Sequence, residues 1–318
     1  MGNHIKIILC IIPLLLISGC TVPGTEIEIP FLPNIFGPKV VSYENDILVI
    51  KDMEALPNEV APGQQAKIVV YVENVGSEPM PLDDVGGDIE IELYDYCPGL
   101  FELNGPAAYK ITSQEKILPG ETKMFSWFLR AKEDVKLRTT CPPDGVKVRV
   151  KYPYKTTSLT TISFIDYTEM QRRIEEGKFQ TKESYIVLGE GPVKPYVTVE
   201  DRQPIPVGGG ESGSQSETTV LGFQLKNRGS GFVTDSKVPV EKITIRSSNP
   251  DIGGPLFDCI RNKVKEFRFI HKETSKLLCG DIQIPSKDEI EFTEHVEVSV
   301  EYEYEFRKSV VLGVRPKI

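Results

Sequence analysis

Hydrophobic and polar positions alternate along much of this 318-residue chain. Ile89, Ile91 and Leu93 alternate with Glu90, Glu92 and Tyr94, and Val146, Val148 and Val150 with Lys147, Arg149 and Lys151. A period of two puts one set of side chains on each face of a strand, so each run predicts a strand with one buried face. Ile47–Ile50, Lys67–Asn74, Met124–Leu129, Thr160–Ile165 and Tyr185–Leu188 are further β-branched or aromatic runs. Turn residues punctuate them: Pro62-Gly63, then Asn74, Gly76 and Ser77, then a turn region at Pro153 and Lys155. Trp127, the single tryptophan, is expected in the core. One stretch departs from this period. Thr168 to Gly177 predicts a short helix, with capping-box spacing from Thr168 to Gln171, Met170 and Ile174 on one face, and Gly177 as the stop.

The second half answers the first. Val72-Glu73-Asn74-Val75-Gly76-Ser77 corresponds to Leu225-Lys226-Asn227-Arg228-Gly229-Ser230, and Leu118-Pro119-Gly120 to Ile284-Pro285-Ser286. The run from Val146 to Tyr154 corresponds to the run from Val296 to Tyr304. The three matches keep their order. They predict a duplicated β-domain, with Gly189-Glu190-Gly191-Pro192 as the boundary between residues 39–188 and 193–318. Many short strands with regular turns fit an all-β class, two face-to-face antiparallel sandwiches in tandem with one short helix.

The start of the chain reads differently. Lys6 precedes an apolar run from Ile7 to Ile17, followed by Ser18, Gly19 and Cys20. A charged start, a short apolar stretch and small residues before a cut form a secretory signal. The run holds Pro13 and falls short of the ~20 residues that span a bilayer. Ile17-Ser18-Gly19-Cys20 resembles the lipobox of prokaryotic lipoproteins. That resemblance implies cleavage after Gly19, so that residues 1–19 leave, and a lipid on Cys20. Residues 20–38 would be the tether. They carry an apolar strip from Ile27 to Phe36, broken by Pro30 and Pro33. The protein is then expected outside the cytoplasm, held to the membrane by its lipid.

Composition narrows the partners. The net charge is −9, and losing residues 1–19 removes one lysine and no acid. An acidic chain argues against nucleic-acid binding and against a polybasic grip on anionic lipid. Four cysteines remain beyond the lipobox: Cys97, Cys141, Cys259 and Cys279. Outside the cytoplasm an even set favours disulfides. Of three pairings, the domain split selects Cys97–Cys141 and Cys259–Cys279. Zinc lacks a C-x-x-C, and His271 and His295 are the only histidines after the signal.

The stretch from Pro62-Gly63 through the alternating strand Lys67–Asn74 to Gly76 resembles the CARDB-type Ig-like domains of prokaryotic surface proteins, archaeal ones included. Those carry a Pro-Gly turn, then an alternating strand ending in Asn-x-Gly. The second half keeps Asn227 and Gly229 without the Pro-Gly. The resemblance implies a sandwich with an adhesion, scaffold or spacer role and no catalytic residues.

The search for chemistry agrees. The chain has no H-E-x-x-H, G-x-S-x-G or P-loop. The glycine-rich stretch from Val207 to Ser214 lacks the lysine and helix of a phosphate cradle and reads as a hairpin loop. Asp83, Asp84 and Asp88 surround Gly86 and Gly87, a weak candidate for calcium and an ordinary composition for a turn. The tyrosine pairs 152/154 and 302/304 each share a strand face, which suits core packing and also a carbohydrate or protein contact. No cofactor is expected. The leading expectation is a non-enzymatic surface lipoprotein that presents loops or edges to an envelope protein or polysaccharide. The alternative is a ligand- or solute-binding lipoprotein serving a transporter, against which the scarcity of helix argues. A hydrolase lacks its motifs.

Overall fold

The structure is a computed structural model and describes residues 45–208, 218–284 and 289–315. The expected signal, the tether and Cys20 lie outside these residues, as does most of the glycine-rich loop. The described chain is mostly β. Residues 43–318 form one compact unit.

Two long strands run through that unit, Val146–Asp166 and Glu291–Val310. They pair antiparallel without a break from Val146 opposite Val310 to Ile165 opposite Glu291. Burial along the first alternates over nearly its whole length: Val146, Val148, Val150, Tyr152, Tyr154, Thr156, Ser158, Thr160, Ile162 and Phe164 are all buried. The sequence predicts two shorter strands here with a turn at Pro153 and Lys155, and the structure has one strand straight through. Proline lacks a ladder donor and is costly inside a sheet. Pro153 escapes that cost because the side of its strand away from Glu303 is open there. The partner on that side, Ile89–Asp95, ends opposite Lys151, and the next, Tyr185–Leu188, begins opposite Ser158.

The register sets the two matching sequence runs on paired strands. Val146 matches Val296 in sequence, and Pro153 therefore matches Glu303. Pro153 and Glu303 lie directly opposite each other, flanked by Tyr152 opposite Tyr304 and Tyr154 opposite Tyr302. Each half adds an outer sheet. Leu48–Leu56, Gln65–Asn74, Thr122–Ala131 and Phe101–Asn104 form the first. Val193–Val199, Thr218–Asn227 and Leu277–Gln283 lie in the second. Gln65–Asn74 and Thr218–Asn227 share the same burial pattern residue by residue. The first strand of each outer sheet lies chiefly against the other half's long strand: Leu48–Leu56 on Glu291–Val310, and Val193–Val199 on Val146–Asp166. The expected boundary at Gly189–Pro192 thus falls within one compact unit.

The repeated Asn-x-Gly-Ser turns are built alike. Asn74 donates from its amide to the carbonyls of Glu78 and Ile117 and accepts from the Gly76 N–H. Asn227 donates to the Gly231 carbonyl and accepts from the Gly229 N–H and the Tyr304 hydroxyl. Each turn is then capped by a carboxylate from the other half. Asp46, just before the first strand of half one, accepts from the Ser230 N–H at 3.0 Å and from its hydroxyl. Glu190, just before the first strand of half two, accepts from the Ser77 N–H at 2.8 Å and from its hydroxyl. Gly229 permits this closeness, because a Cβ there would collide with Asp46 and the Tyr304 hydroxyl. Asp46 is buried, and burial raises its carboxyl pKa above the ordinary value against the opposing pull of Ser230 and Lys272.

Both helices teach something about local signals. The first spans Tyr167–Glu175 and starts one residue before the expected 168–177. Its N-cap is Asp166, which accepts from the Glu169 N–H, so Thr168 lies inside the helix. Ile174 is exposed and the helix buries no residue fully, so the predicted apolar pairing does not anchor it. Gly177, with φ 65°, stops it as expected. The second helix, Pro250–Lys263, was not anticipated. Asn249 caps it by accepting from the Asp251 N–H, Pro250 sits at its first turn, and Ile252, Leu256 and Ile260 bury one stripe. Gly253 lets the helix approach Ser247, where a Cβ would come within 2.8 Å of the serine's own.

Replacing Asn227 with alanine removes one acceptor and one donor and leaves buried partners unsatisfied. Asn227→Ala should therefore cost about 3 kcal/mol, and Asn74→Ala a similar amount, in denaturant unfolding. Losses below about 0.5 kcal/mol at both sites would show that the turns do not hold the halves.

Candidate functional site: the groove over the paired long strands

The buried faces of the long strands meet in a cluster of four tyrosines. Ring centroids lie 5.8 Å apart for Tyr152 and Tyr304, and 6.3 Å for Tyr154 and Tyr302, in edge or tilted contact. Tyr302 exchanges a 2.7 Å hydrogen bond with Thr156 and accepts from the Val193 N–H at 3.3 Å. The tyrosine pairs are therefore core, and the contact role considered for them falls away. Burial pushes the pKa of all four well above the ordinary phenol value.

The opposite face of the same strands carries Lys151, Pro153, Lys155, Glu301, Glu303 and Arg307. Over its midpoint lies a cavity of about 490 Å³. Its floor is Pro153, Glu301 and Glu303. One wall is Val85-Gly86-Gly87 and the other runs from Thr234 to Pro239. Gly87 sits close to Pro153, where a Cβ would touch the ring at 3.1 Å. Across the groove, Asp235 and Ser236 both hold left-handed backbone, at φ 56° and 54°. For residues with a Cβ that conformation is uncommon and often marks a built feature. Lys242 pairs with Glu301 at 3.1 Å, whereas Glu303 lines the groove opposite Pro153.

Beyond the groove the same face bears an aromatic and cationic ladder. Arg149 and Arg307 lie opposite each other. Both guanidinium groups sit over the Tyr94 ring, at 5.2 and 5.7 Å, and Arg307 also sits over exposed Phe232 at 5.5 Å. Like charges side by side are unfavourable. Glu92 and Glu305 neutralise them, the first at 2.6 Å from Arg149.

The expected site residues separate. Cys97 and Cys141 are joined, with Cα atoms 5.8 Å apart, and so are Cys259 and Cys279, at 5.9 Å. The second bridge fixes the unanticipated helix to the strand Leu277–Gln283. Asp83 pairs with Lys116 at 2.7 Å and Asp84 with Lys155 at 3.1 Å. Their carboxylates are drawn to separate lysines, and among the described residues no group of three or more acidic, histidine or cysteine side chains is placed to hold a metal. Val85, Gly86 and Gly87 of the 83–88 loop form one wall of the groove. His295 faces Thr161 at 3.1 Å, and His271 is a turn residue with φ 61°. The groove itself was invisible beforehand, although Gly86-Gly87 lay in a singled-out stretch. Its other wall, Thr234 to Pro239, carried no recognised signal. No protein-family model matches the chain, and no curated protein matches its sequence.

The buried tyrosines set an alkaline limit. Their raised values mean that the unfolded chain releases these protons near the ordinary phenol pKa while the folded one keeps them. Stability is whole below about pH 10 and is lost as pH rises above it. In a spectrophotometric titration these four phenols should ionise only together with unfolding. Early, reversible ionisation of all the chain's tyrosines in the folded state would contradict the buried cluster.

Proposed function

We propose that this protein is a non-enzymatic surface lipoprotein, anchored outside the cytoplasm through Cys20, that acts as an interaction module of the cell envelope. The observation that carries this reading is the pair of disulfides, one in each half, within a mostly β chain. Such bridges persist in oxidising compartments and are rare in reducing ones. They fit a chain that starts with a secretory-type signal and a lipobox-like Ile17-Ser18-Gly19-Cys20. We read the two outer sheets over the shared long-strand sheet as two fused Ig-like sandwiches, the second of which keeps the Asn-x-Gly turn of the CARDB-like first. Adhesion and scaffold proteins commonly use such folds as rigid presenters of loops and edges. The groove over Pro153 and Glu303 lies within the size range of ligand pockets and offers a surface for contact. A partner held there would touch both halves at once.

Mass spectrometry of the membrane fraction tests the anchor. The mature chain should begin at a lipid-modified Cys20. One acyl chain holds a protein only marginally, so two should be present. Cys20→Ser should leave the precursor uncleaved at Gly19 and without lipid. Recovery of the wild-type protein in the cytosol with four free thiols at Cys97, Cys141, Cys259 and Cys279 would overturn the reading.

A further inference from the structure

The edge of a sheet presents a row of unpaired backbone groups, and proteins guard such edges. This chain guards several visibly. Leu48–Leu56 breaks register between Ile50 and Asp52, and Lys308 Nζ donates to the Lys51 carbonyl at 2.9 Å and the Ile50 carbonyl at 3.3 Å. Val193–Val199 carries Lys194 and Pro195. Ile243–Ser247 packs against the helix Pro250–Lys263. The edge at Tyr185–Leu188 has no such guard among the described residues. Tyr185–Leu188 pairs with residues 158–161 of the first long strand and with no other strand among the described residues. It is four apolar residues in a row, uninterrupted by charge or proline. Tyr185, Val187 and Leu188 are 69%, 45% and 37% exposed. An apolar run on an edge with three of its four residues exposed marks a place built to bind.

We infer that this edge takes up an extended segment of a partner protein as an added strand, apolar in its middle and basic at both ends. Backbone pairing supplies the affinity in this mode, and side chains on alternate positions supply the choice of partner. Charge decides between the two simplest occupants. Glu183 and Glu190 stand just outside the two ends of the strand and are exposed, Glu190 being the carboxylate that also caps the Ser77 turn. A second copy of the same strand, antiparallel and centred, would set Glu183 of one copy against Glu190 of the other. Like charges placed opposite are destabilising, and the chain's net charge of −9 adds repulsion between copies. A partner segment ending in lysine or arginine turns both acidic ends into attractions. The inference rests on the reading of this protein as an interaction module, and neither the groove nor the lipid enters it.

The test uses the intact protein in detergent and a short peptide of alternating isoleucine and threonine with a lysine at each end. Calorimetric titration should show binding, and amide exchange at residues 185–188 should slow. Val187→Lys places a guard on an exposed position. It should weaken binding about tenfold or more, a shift of ~1.4 kcal/mol, with an unchanged melting temperature. Methylating alternate peptide nitrogens should abolish binding, and glutamate ends should weaken it. Absent binding, equal binding by Val187→Lys or by the methylated peptide, or protection elsewhere would overturn the inference. So would a wild-type dimer in sedimentation with protection confined to 185–188, which would name a second copy as the occupant. Each of these results leaves the Cys20 measurement untouched, so failure of the edge and failure of the lipoprotein reading are separable.

Discussion

The whole structure depends on the unbroken pairing of two strands that belong to different halves of the chain. Val146–Asp166 and Glu291–Val310 are each several times longer than an ordinary strand, and each is shared between its own half and the other. A strand this long must keep its period over every residue, since one slip would turn its whole buried face outward. The valines, tyrosines, threonines and phenylalanine on the even positions of the first long strand meet that demand. At the middle, four tyrosines replace the aliphatic residues. Their rings pack together in the core, and the hydroxyls of Tyr302 and Tyr304 reach Thr156, the Val193 backbone and Asn227. The polar tips tie the central sheet to the turns and strand starts above it.

The carboxylate caps repeat that logic on a smaller scale. Asp46 serves the turn of the second half, and Glu190 serves the turn of the first. The two are not equal. Asp46 is buried and carries a desolvation cost that its hydrogen bonds to Ser230 offset only in part, whereas Glu190 is exposed. Asp46 also lies at the start of the described chain. The first strand of the first half is thus fastened at its start to the turn of the second half.

Much of this was legible in the sequence. Alternation and β-branched runs located strands such as Gln65–Asn74, Ile89–Asp95 and Thr122–Ala131, and the matching runs Val146–Tyr154 and Val296–Tyr304 lie on the two long strands that pair. The disulfide pairing followed from dividing four cysteines between two repeats. What stayed hidden had physical reasons. Pro153 read as a turn because proline punctuates strands, and only the gap between Lys151 and Ser158 explains why it continues one. The helix Pro250–Lys263 announced itself through Asn249-Pro250, but Gly253, Gly254 and Pro255 obscured its interior. Asp166 outcompeted Thr168 as a cap because it ends the preceding strand with its carboxylate already aimed at the Glu169 N–H. The groove joins residues from near 85, 153, 235 and 302, and no local pattern predicts that meeting.

Calorimetric unfolding of residues 43–318 tests the shared sheet most directly. The paired long strands require both halves to melt in one transition, with the calorimetric enthalpy equal to the van't Hoff enthalpy and Trp127 fluorescence in the first half changing together with far-UV dichroism. Two separate transitions, with one half retaining its strands after Trp127 is exposed, would show that the halves are independent and that the long-strand pairing does not unite them.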